Sequence, residues 1–421
     1  MERYSSYKDT GISWIPYVPS HWEVARMKRI FSEAKEKTID ENGALLSLSQ
    51  YTGVTPKNDA NKVGMFEAES TIGYNVVHVG QFVMNIMLAW NGSYAVSDYE
   101  GIISPSYCIF NFNEKCAQKY FHYLLRLPSY AGAFKTMSKG IIESRLRLYP
   151  IYFLAFKTII PPLADQEKIV RYLDSKNSKI DAYVADKEKE IQLLQELKQK
   201  TIAEAVTKGL NPIVKMKNSG ISWLGMIPDH WEIKKIGSLF TERREKVSDK
   251  DFPALSVSKQ GITPQLETAV KTDNGDNRKK VCKDDFVVNS RSDRKGSCGV
   301  SPYTGSVSLI NIVLSPRNNI EVQYFHHLFR SNDYIEEYYR IGRGIVADLW
   351  TTRYSEMRNI MVPLPPLGEQ QSIVAYIEEK CQKIDTLTTE LQAEIDYLKE
   401  YKQRLIADVV TGQVNVQNET I

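Results

Sequence analysis

The stretch PPLADQEKIVRYLDSKNSKID at residues 161–181 returns as PPLGEQQSIVAYIEEKCQKID at residues 365–385. The two copies lie 204 residues apart and differ at many positions, yet they keep the same opening and the same apolar spacing. The proline pairs are typical of a non-helical lead-in, and Gly209 and Gly412 are typical of helix ends. The repeat therefore predicts two related helices of about 40 residues, each about 60 Å long.

Both segments carry apolar side chains at heptad spacing, the pattern of the a and d positions of a coiled coil. A helix with an apolar seam on one side must cover it. We therefore expect the two helices to pack on each other in antiparallel orientation; the alternative is that each packs on its own globular domain. Asn177, Lys187, Lys198 and Lys402 interrupt the seam, and such residues either fix the register or contact another protein. The predicted seam residues are Leu173, Ile180, Val184, Ile191 and Leu194 in the first copy and Ile377, Ile384, Leu391, Ile395, Leu398 and Leu405 in the second.

A second repeat lies upstream of each helix, at a spacing of 209 residues. GISWIPYVPSHWE at residues 11–23 matches GISWLGMIPDHWE at residues 220–232. The histidine of each copy invites a catalytic interpretation, but it stands in an aromatic-rich P-x-H-W-E segment. We predict instead that Trp22 and Trp231 are wedged into the core at the start of each duplicated unit.

The segments between these markers diverge, with faint echoes such as FVMN at residues 82–85 and FVVN at residues 286–289. They consist mostly of short alternating or apolar runs broken by turns, which are typical of strands. The sequence therefore predicts an α+β molecule with pseudo-two-fold symmetry, in which two β-rich globular domains are joined by two long antiparallel heptad helices. The predicted globular domains are residues 1–160 and 211–364, and the predicted helical segments are residues 161–210 and 365–421.

Composition argues against several classes of protein. Of the 421 residues, 42% are hydrophobic and 25% are charged, which is ordinary for a globular protein. The longest apolar run, YPIYFLAF at residues 149–156, is too short to span a bilayer, and the polar N-terminus lacks a signal-peptide core. Five scattered cysteines without a CxxC pair fit neither a disulfide framework nor a zinc site. We therefore expect a cytoplasmic protein without a membrane partner or a bound metal.

The sequence contains no recognised catalytic motif. It lacks a GxxxxGK[ST] phosphate loop, a helicase signature, a GxGxxG after a strand and the [ND]PP[YF] motif of amino-methyltransferases. An enzyme with an unrecognised site would need acidic or nucleotide-binding residues that cluster, and none do. A coiled-coil interaction scaffold without sequence-specific DNA binding would explain the helices, but not two globular domains with divergent polar loops.

Polar, basic and aromatic loops remain as candidate sites. The net charge of only +3 means that a DNA-binding surface must come from local clustering, and residues 278–295 hold seven basic side chains against three acidic ones. Arg and Asn read base edges, and phosphates accept hydrogen bonds from basic and polar side chains; the alternative is an ordinary solvated loop. The first copy also offers Lys139 with Arg145 or Arg147. The candidate DNA-contacting residues are Gln50, Tyr51, Asn85, Trp90, Asn91, Ser93 and Tyr94 in the first copy and Lys259, Gln260, Asn289, Arg291, Ser292, Arg294, Lys295 and Arg343 in the second.

Two features together carry a family resemblance. One is the PPL-x-[DE]-Q lead into a heptad helix that ends in [AV]VT, and the other is the W-x-x-x-[VI]P-x-HWE opening of each half. With both, the chain resembles a specificity subunit of a bacterial type I restriction–modification system over essentially its whole length. The resemblance implies a non-catalytic DNA reader. Each target-recognition domain would bind one half of a bipartite, asymmetric site, and the helix pair would set the gap between the halves.

The same resemblance implies partners and cofactors. The partners would be double-stranded DNA, two methyltransferase (modification) subunits docked on the helices, and restriction subunits that contain the motor and the nuclease. S-adenosylmethionine for adenine methylation, ATP and Mg are then expected only on the partner subunits, with no cofactor on this chain. This distribution agrees with the missing methyltransferase and nucleotide-binding motifs.

Overall fold

The chain forms two compact units, and each combines a globular domain with parts of both long helices. The units are Met1–Asp186 with Glu394–Ile421, and Lys187–Ala393. They cross the borders of the predicted segments because each long helix contributes to both. The computed structural model describes residues 2–57, 70–113, 116–142, 146–265, 275–291, 294–317, 319–344 and 350–419.

The globular part of the first unit consists of short strands followed by short helices. Single 3-10 turns at Met27–Arg29 and Ala89–Asn91 interrupt the strand series. In chain order the elements are β1 (Tyr7–Asp9), β2 (Tyr17–Pro19), β3 (Glu23–Arg26), β4 (Phe31–Ala34), β5 (Leu46–Ser49), β6 (Gly53–Pro56), β7 (Asn75–Val77), β8 (Phe82–Asn85), β9 (Tyr94–Val96), β10 (Gly101–Ile103), β11 (Tyr107–Phe112), α1 (Gln118–Leu125), α2 (Pro128–Met137), α3 (Pro150–Ala155), β12 (Lys157–Ile160) and the long α4 (Leu163–Lys208).

An antiparallel sheet in the strand order β4-β11-β8-β9 lies at the centre of this domain. Side chains alternate between its faces, as the pleat requires. On one face, Phe82 and Phe110 pack on Phe153 of α3 with ring centres 5.6 and 4.8 Å apart. On the other face, Val83 and Ile109 join a smaller apolar cluster with the hairpin β5–β6. The sheet is therefore covered by helices on one side and by the hairpin on the other.

The globular part of the second unit repeats this series with small differences in length. Its elements are β13 (Met216–Asn218), β14 (Met226–Pro228), β15 (Glu232–Lys235), α5 (Ile236–Leu239), β16 (Phe240–Glu242), β17 (Lys246–Val247), β18 (Leu255–Ser258), β19 (Gly261–Pro264), β20 (Arg278–Val281), β21 (Phe286–Asn289), β22 (Cys298–Val300), β23 (Gly305–Val307), β24 (Asn311–Pro316), α6 (Val322–Phe329), α7 (Asn332–Arg340), α8 (Tyr354–Met357), β25 (Met361–Leu364) and the long α9 (Leu367–Val410).

The second domain has the topology of the first. Its central sheet has the order β16-β24-β21-β22, and the hairpin β18–β19 belongs to the apolar cluster on one face. The α+β prediction is confirmed, with β-rich domains and two long helices. Helices α6 and α7 are separate elements because Ser331, the N-cap of α7, has extended backbone angles.

In the first unit, the N-terminal part of α4 packs antiparallel on the C-terminal part of α9. Lys402 Nζ donates to both carboxylate oxygens of Asp181, at 2.6 and 2.7 Å. Tyr183 Oη donates to Glu394 at 2.9 Å. Residue numbers thus rise along α4 as they fall along α9. The seam residues of this unit are all buried or half-buried: Leu173, Ile180, Val184, Ile395, Leu398 and Leu405.

The second unit repeats this pairing with the other halves of the helices. Lys198 Nζ donates to both oxygens of Asp385, also at 2.6 and 2.7 Å. This ion pair occupies the equivalent place in the repeat to Lys402 and Asp181. In each pair the lysine is half-buried and the aspartate is exposed to solvent, so the pair adds little stability, but its geometry supports the predicted register-fixing role. The seam residues of this unit are also buried or half-buried: Ile191, Leu194, Ile377, Ile384 and Leu391.

The first repeated tryptophan fixes the first domain to the start of α4. Trp22 is fully buried, as predicted, and its indole N–H donates to Asp165 Oδ2 at 3.0 Å. His21 Nε2 lies 2.8 Å from the same oxygen. The side-chain oxygen of Gln166 accepts a hydrogen bond from the backbone N–H of Ala117 at 2.9 Å, just before α1. The acidic residue and the glutamine of the repeated motif are therefore structural anchors.

The second copy reproduces each of these contacts. Trp231 is buried and donates to Glu369 Oε2 at 3.0 Å, and His230 Nε2 lies 2.8 Å from that oxygen. Gln370 accepts from the backbone N–H of Glu321 at 2.9 Å, just before α6. The repeated histidine is thus a second hydrogen-bonding partner of the anchoring carboxylate, in agreement with the structural interpretation of the P-x-H-W-E segment.

The C-terminal ends of the long helices are fixed in the same way. Tyr120 Oη of α1 donates to the carbonyl of Val410 at 2.8 Å, and Tyr324 Oη of α6 donates to the carbonyl of Val206 at 2.8 Å. Each tyrosine satisfies a helix-end carbonyl that has no partner within its helix. Each globular domain therefore holds the beginning of one long helix and the end of the other.

Glycines end both helices, as predicted. Gly209 and Gly412 have φ of +74° and +73°, the left-handed conformation that glycine adopts without strain. A Cβ at these positions would lie only 3.2 Å from Trp231 and 2.9 Å from Trp22. The glycines thus permit both the turn and the close approach of each anchoring indole.

In the described part of the chain, no helix is both long and apolar enough to cross a membrane. The same residues include no cluster of three or more His, Cys, Asp or Glu side chains able to hold a metal ion. The five cysteines are free thiols.

Candidate nucleic-acid interface

Two hairpin turns hold the first group of candidate residues. The turn of β5–β6 comprises residues 50–52, and the turn of β18–β19 comprises residues 259–260, one residue fewer. Tyr51 is 83% exposed, so its ring is available to a ligand. Gln50 is half-buried, and the second turn presents two further exposed candidates, Lys259 and Gln260.

The loop between β8 and β9 holds the second group in the first copy. Trp90 is half-buried, its indole N–H donates to the carbonyl of Met87 at 2.9 Å, and Lys135 Nζ lies 5.5 Å from its ring centre. Asn91 is half-buried and accepts from Ser93 Oγ at 2.9 Å. Trp90 and Asn91 are thus held in place while part of each side chain remains exposed.

Three candidates in and beside this loop have buried side chains, which does not favour direct contact with DNA: Asn85 at the end of β8, Ser93 in the loop and Tyr94 at the start of β9. Tyr94 is fully buried, and its hydroxyl donates to the carbonyl of Leu125 at 2.8 Å within the core. Asn85 and Ser93 are 5% and 3% exposed. Asn85 Oδ1 accepts from the N–H of Met87 at 3.0 Å. These residues support the loop from beneath, a distinction that residue type alone does not reveal.

The equivalent loop between β21 and β22 presents arginines instead. Arg291 and Arg294 are exposed. Asn289 is half-buried and accepts from the backbone N–H of Arg291 at 3.1 Å, so it shapes the start of the loop. Ser292 and the first-copy candidate Arg145 lie outside the described residues.

Lys295 and Arg343 lie beside acidic side chains. Lys295 Nζ is 2.6 Å from Glu336 and lies 4.7 Å from the ring centre of Tyr339. Arg343 is mostly exposed, and its Nε lies 3.7 Å from Glu356. The longer contact is weak in solvent, so the Arg343 guanidinium remains available to an anion.

The structure brings distant candidate segments together. The backbone of Thr351 pairs with both Arg291 and Arg343 through isolated β-bridges. The first copy has the equivalent contacts, since Lys139 and Arg147 exchange two backbone hydrogen bonds of 2.9 Å and the N–H of Leu148 donates to the carbonyl of Ile86 at 2.9 Å. The predicted loops of each copy therefore include two segments that meet on the surface of one domain.

Part of the basic cluster predicted at residues 278–295 serves the domain itself. The Arg278 guanidinium is buried and donates to Ser306 Oγ at 2.9 Å. Lys279 Nζ donates to a backbone carbonyl at 2.7 Å, and Lys280 pairs with Glu245 at 2.9 Å. Exposed positive charge is therefore concentrated in the loop after β21 rather than along strand β20.

Sequence reasoning missed two arginines that lie beneath the candidate loops. Arg126 and Arg330 follow α1 and α6, and each donates to carbonyl groups of the hairpin turn and of the neighbouring edge strand. The signal was present in the last letter of the repeated segments YFHYLLR and YFHHLFR, which lie 204 residues apart.

His122 and His326 in these segments are half-buried, and each accepts a backbone hydrogen bond. Nδ1 of His122 accepts the N–H of Val96 at 3.4 Å, and Nδ1 of His326 accepts the N–H of Val300 at 3.1 Å. Burial, helped by neighbouring basic side chains, lowers the pKa of His122 to about 4 and of His326 to about 3. Both imidazoles are therefore neutral near pH 7, as an accepting Nδ1 requires.

Comparisons with known proteins find similar sequences. The model of the type I restriction modification DNA specificity domain matches residues 228–397. The putative type I restriction enzyme MjaX specificity subunit of Methanocaldococcus jannaschii is 24% identical, with 98% of this chain and 97% of that protein covered. The type I restriction enzyme EcoBI specificity subunit of Escherichia coli is 22% identical, with 72% of this chain and 67% of that protein covered.

Solved structures share the fold. A chain from a study of complex assembly and conformational transition of the type I R-M system superimposes with a TM-score of 0.66 at 16% identity. That alignment covers 94% of this chain and 99% of the other. The HsdS subunit from Thermoanaerobacter tengcongensis gives a TM-score of 0.53, also at 16% identity, and covers 94% of this chain and 98% of the other. The architecture of two domains and two long helices is thus shared over nearly the whole chain.

Proposed function

Since the chain belongs to the type I restriction–modification specificity subunits, we propose that each globular domain reads one half of a bipartite DNA site. The chain is the DNA-recognition component of the system rather than its catalytic component. The antiparallel helices would act as the spacer that fixes the gap between the halves. Two different readers on one duplicated frame would produce an asymmetric target.

One observation carries this proposal. The contacts that fix each globular domain to the long helices are the same in both copies, whereas the side chains at the loop tips differ. The anchoring tryptophan, carboxylate, glutamine and tyrosine recur in both copies with nearly identical distances. At the loop tips, one domain presents Tyr51 and Trp90, whereas the other presents Lys259 and, at the position equivalent to Trp90, Arg294. Aromatic and basic side chains make different contacts with bases and phosphates, so the domains would select different sequences.

Partner subunits would dock on the long helices. In the first unit, exposed Tyr183, Tyr397 and Tyr401 lie on the helices, although the packed seam does not need them. The equivalent positions of the second unit hold three exposed leucines. Repeated apolar exposure on a duplicated frame fits two copies of one partner, and we assign these surfaces to the two modification subunits. The leucines are Leu193, Leu197 and Leu387.

The division of labour follows from this assignment. We propose that the modification subunits bring S-adenosylmethionine and methylate adenine. The restriction subunits would bring ATP, Mg and the motor and nuclease activities. This chain would hold no cofactor of its own and would act in the cytoplasm. A rigid spacer also raises affinity, because binding of the second half-site becomes intramolecular once the first is bound.

The test is selection of binding sites from a random-sequence duplex DNA library. The full chain is assembled with the modification subunit encoded beside it, and enriched sequences are read. We expect two short conserved blocks separated by a fixed unspecific gap. A coiled-coil scaffold without DNA recognition would enrich no motif. Methylation or cleavage by the isolated chain would contradict the non-catalytic assignment.

A further inference from the structure

We propose that Arg126 and Arg330 are positioning residues that hold the tip of each reading hairpin in place by gripping its backbone. The inference rests on the proposed function, since it assumes that the hairpin turns read DNA. It goes beyond that function by proposing that an arginine can determine sequence specificity without contacting the DNA itself.

In the first domain, Arg126 connects two segments at the end of α1. Its Nη2 donates to the carbonyl of Gln50 at 2.5 Å and lies 3.4 Å from the carbonyl of Tyr51. Its Nη1 donates to the carbonyl of Tyr94 at 3.0 Å. Burial lowers the pKa of the guanidinium. Because arginine side chains stay protonated in proteins, these are charge-assisted hydrogen bonds.

In the second domain, Arg330 makes the equivalent contacts at the end of α6. Its Nη2 donates to the carbonyl of Lys259 at 2.6 Å, and its Nη1 donates to the carbonyl of Cys298 at 2.5 Å. Lys259 is the first residue of its turn, as Gln50 is of the other. We call these contacts of Arg126 and Arg330 with backbone carbonyls the arginine clamp. The clamp is present in both domains, although the two turns differ in length and in the side chain at each equivalent position.

The hairpin needs such a clamp at its tip. Its body is fixed by apolar contacts, because Leu46, Leu48 and Val54 pack in the cluster against the central sheet. The turn itself projects beyond that cluster, with Tyr51 largely exposed. Each hairpin also forms a two-stranded sheet of its own, so strand pairing in the described residues does not tie its turn to the central sheet.

Recognition of main-chain carbonyls explains why the clamp tolerates divergence of the loop. A carbonyl is present whatever side chain the turn carries, so the turn sequence can change while the guanidinium keeps its partners. A misplacement of about 1 Å is enough to spoil a contact with a base edge, since hydrogen bonds weaken steeply outside a narrow range of distance. The clamp would therefore set the selectivity of one half-site.

The test uses Arg126→Met and Arg330→Met, which keep much of the apolar stem but remove the donors. Each variant is assembled with the modification subunit and applied to a random-sequence duplex DNA library, with the wild type in parallel. We expect Arg126→Met to lose base preference in one half-site by at least tenfold while the other half-site is selected as before. Arg330→Met should show the mirror pattern.

Two further arms keep the inference separable from the proposed function. Arg126→Lys keeps the positive charge but cannot donate to two carbonyls with the geometry of a guanidinium. Compared with Arg126→Met, it should recover stability more than base preference in the affected half-site. Hydrogen exchange of the free chain should show faster exchange at residues 50–52 in Arg126→Met and unchanged exchange at residues 259–260. If the wild type selects no bipartite site, the proposed function fails, while the exchange data still decide the clamp.

Three results would overturn the clamp. One is equal loss of preference in both half-sites, which indicates general destabilisation. Another is unchanged preference in both. The third is unchanged exchange at the turn whose arginine was replaced.

Discussion

At the scale of residues, Asp165 and Glu369 show how a short motif encodes the placement of a domain. Each carboxylate accepts from a buried indole N–H and contacts a histidine, and each stands in the first turn of a long helix, where negative charge is favoured. The identity of the acid differs between copies, yet the distances are the same. The sequence revealed that these positions were repeated, but not which partners they would hold.

We expect Asp165→Ala to destabilise the protein by about 1–3 kcal/mol, because it leaves the Trp22 indole N–H buried without an acceptor. Urea unfolding followed by circular dichroism would measure the loss. Asp165→Glu copies the natural arrangement at Glu369 and should cost much less, and Glu23→Ala on the exposed surface should be nearly neutral. An Asp165→Ala midpoint equal to that of Glu23→Ala would contradict the anchoring role.

The half-buried histidines His122 and His326 predict a pH dependence of stability. The folded pKa of His122 is lowered to about 4 and that of His326 to about 3, both below the unfolded value of 6.5. Their contribution to the free energy of unfolding is therefore complete above pH 6.5 and is lost as the pH falls towards those values. Each group should cost about 1.4 kcal/mol per pH unit in that window. In chemical unfolding between pH 7 and 5, His122→Asn should have a shallower slope than the wild type; equal slopes would count against the assignment.

At the scale of elements, the heptad periodicity made the long helices predictable. Burial of side chains in and beside the loops was not predictable, because it depends on tertiary packing. The heptad seam from Leu173 to Leu405 is buried or half-buried as the pattern required, because a seven-residue repeat maps onto one face of a helix. Around the loop after β8, residue type suggested DNA contacts, but Asn85 at the end of β8, Ser93 in the loop and Tyr94 at the start of β9 are buried. Which side chains are buried there depends on three-dimensional contacts, which one sequence does not display.

The basic loop after β21 gives a prediction at this scale. Arg291→Ala combined with Arg294→Ala should relax the base preference of one half-site and leave the other unchanged, because both side chains belong to one domain. Site selection from the random library measures the effect. Lys234→Ala with Lys235→Ala removes the same charge from exposed positions on β15 of that domain and serves as the matched control. Unchanged preference in the arginine variant would remove this loop from the set of readers.

At the scale of the whole molecule, the repeat spacing made the architecture predictable before any element was located. A duplication of about 200 residues implied two related units, and each unit indeed holds one domain with parts of both helices. The sequence did not predict that each globular domain would hold the beginning of one long helix and the end of the other. The hydrogen bonds that show this, from Tyr120 to Val410 and from Tyr324 to Val206, join residues far apart in sequence.

The spacer role predicts the effect of a paired deletion. Removing residues 187–193 and 391–397, which are equivalent heptads, shortens each helix by about 10 Å and keeps both seams in phase. The selected gap should shrink by about three base pairs at 3.4 Å per step, with both half-sites unchanged. Deleting residues 391–397 alone shifts α9 against α4 and should chiefly reduce stability. A gap of wild-type length in the paired deletion would disprove the spacer role.

The histidine and arginine at the end of α1 have a consequence for behaviour at high concentration. An edge strand normally offers unpaired backbone groups to strands of other molecules, and this is a common route to aggregation. On β9 the outward N–H of Val96 is taken by His122 and the outward carbonyl of Tyr94 by Arg126; β22 is closed in the same way by His326 and Arg330. On edge strands β9 and β22, these outward backbone groups are thus hydrogen-bonded to side chains of the same domain. The neighbouring loop tips can change in sequence while these groups remain unavailable to strands of other molecules.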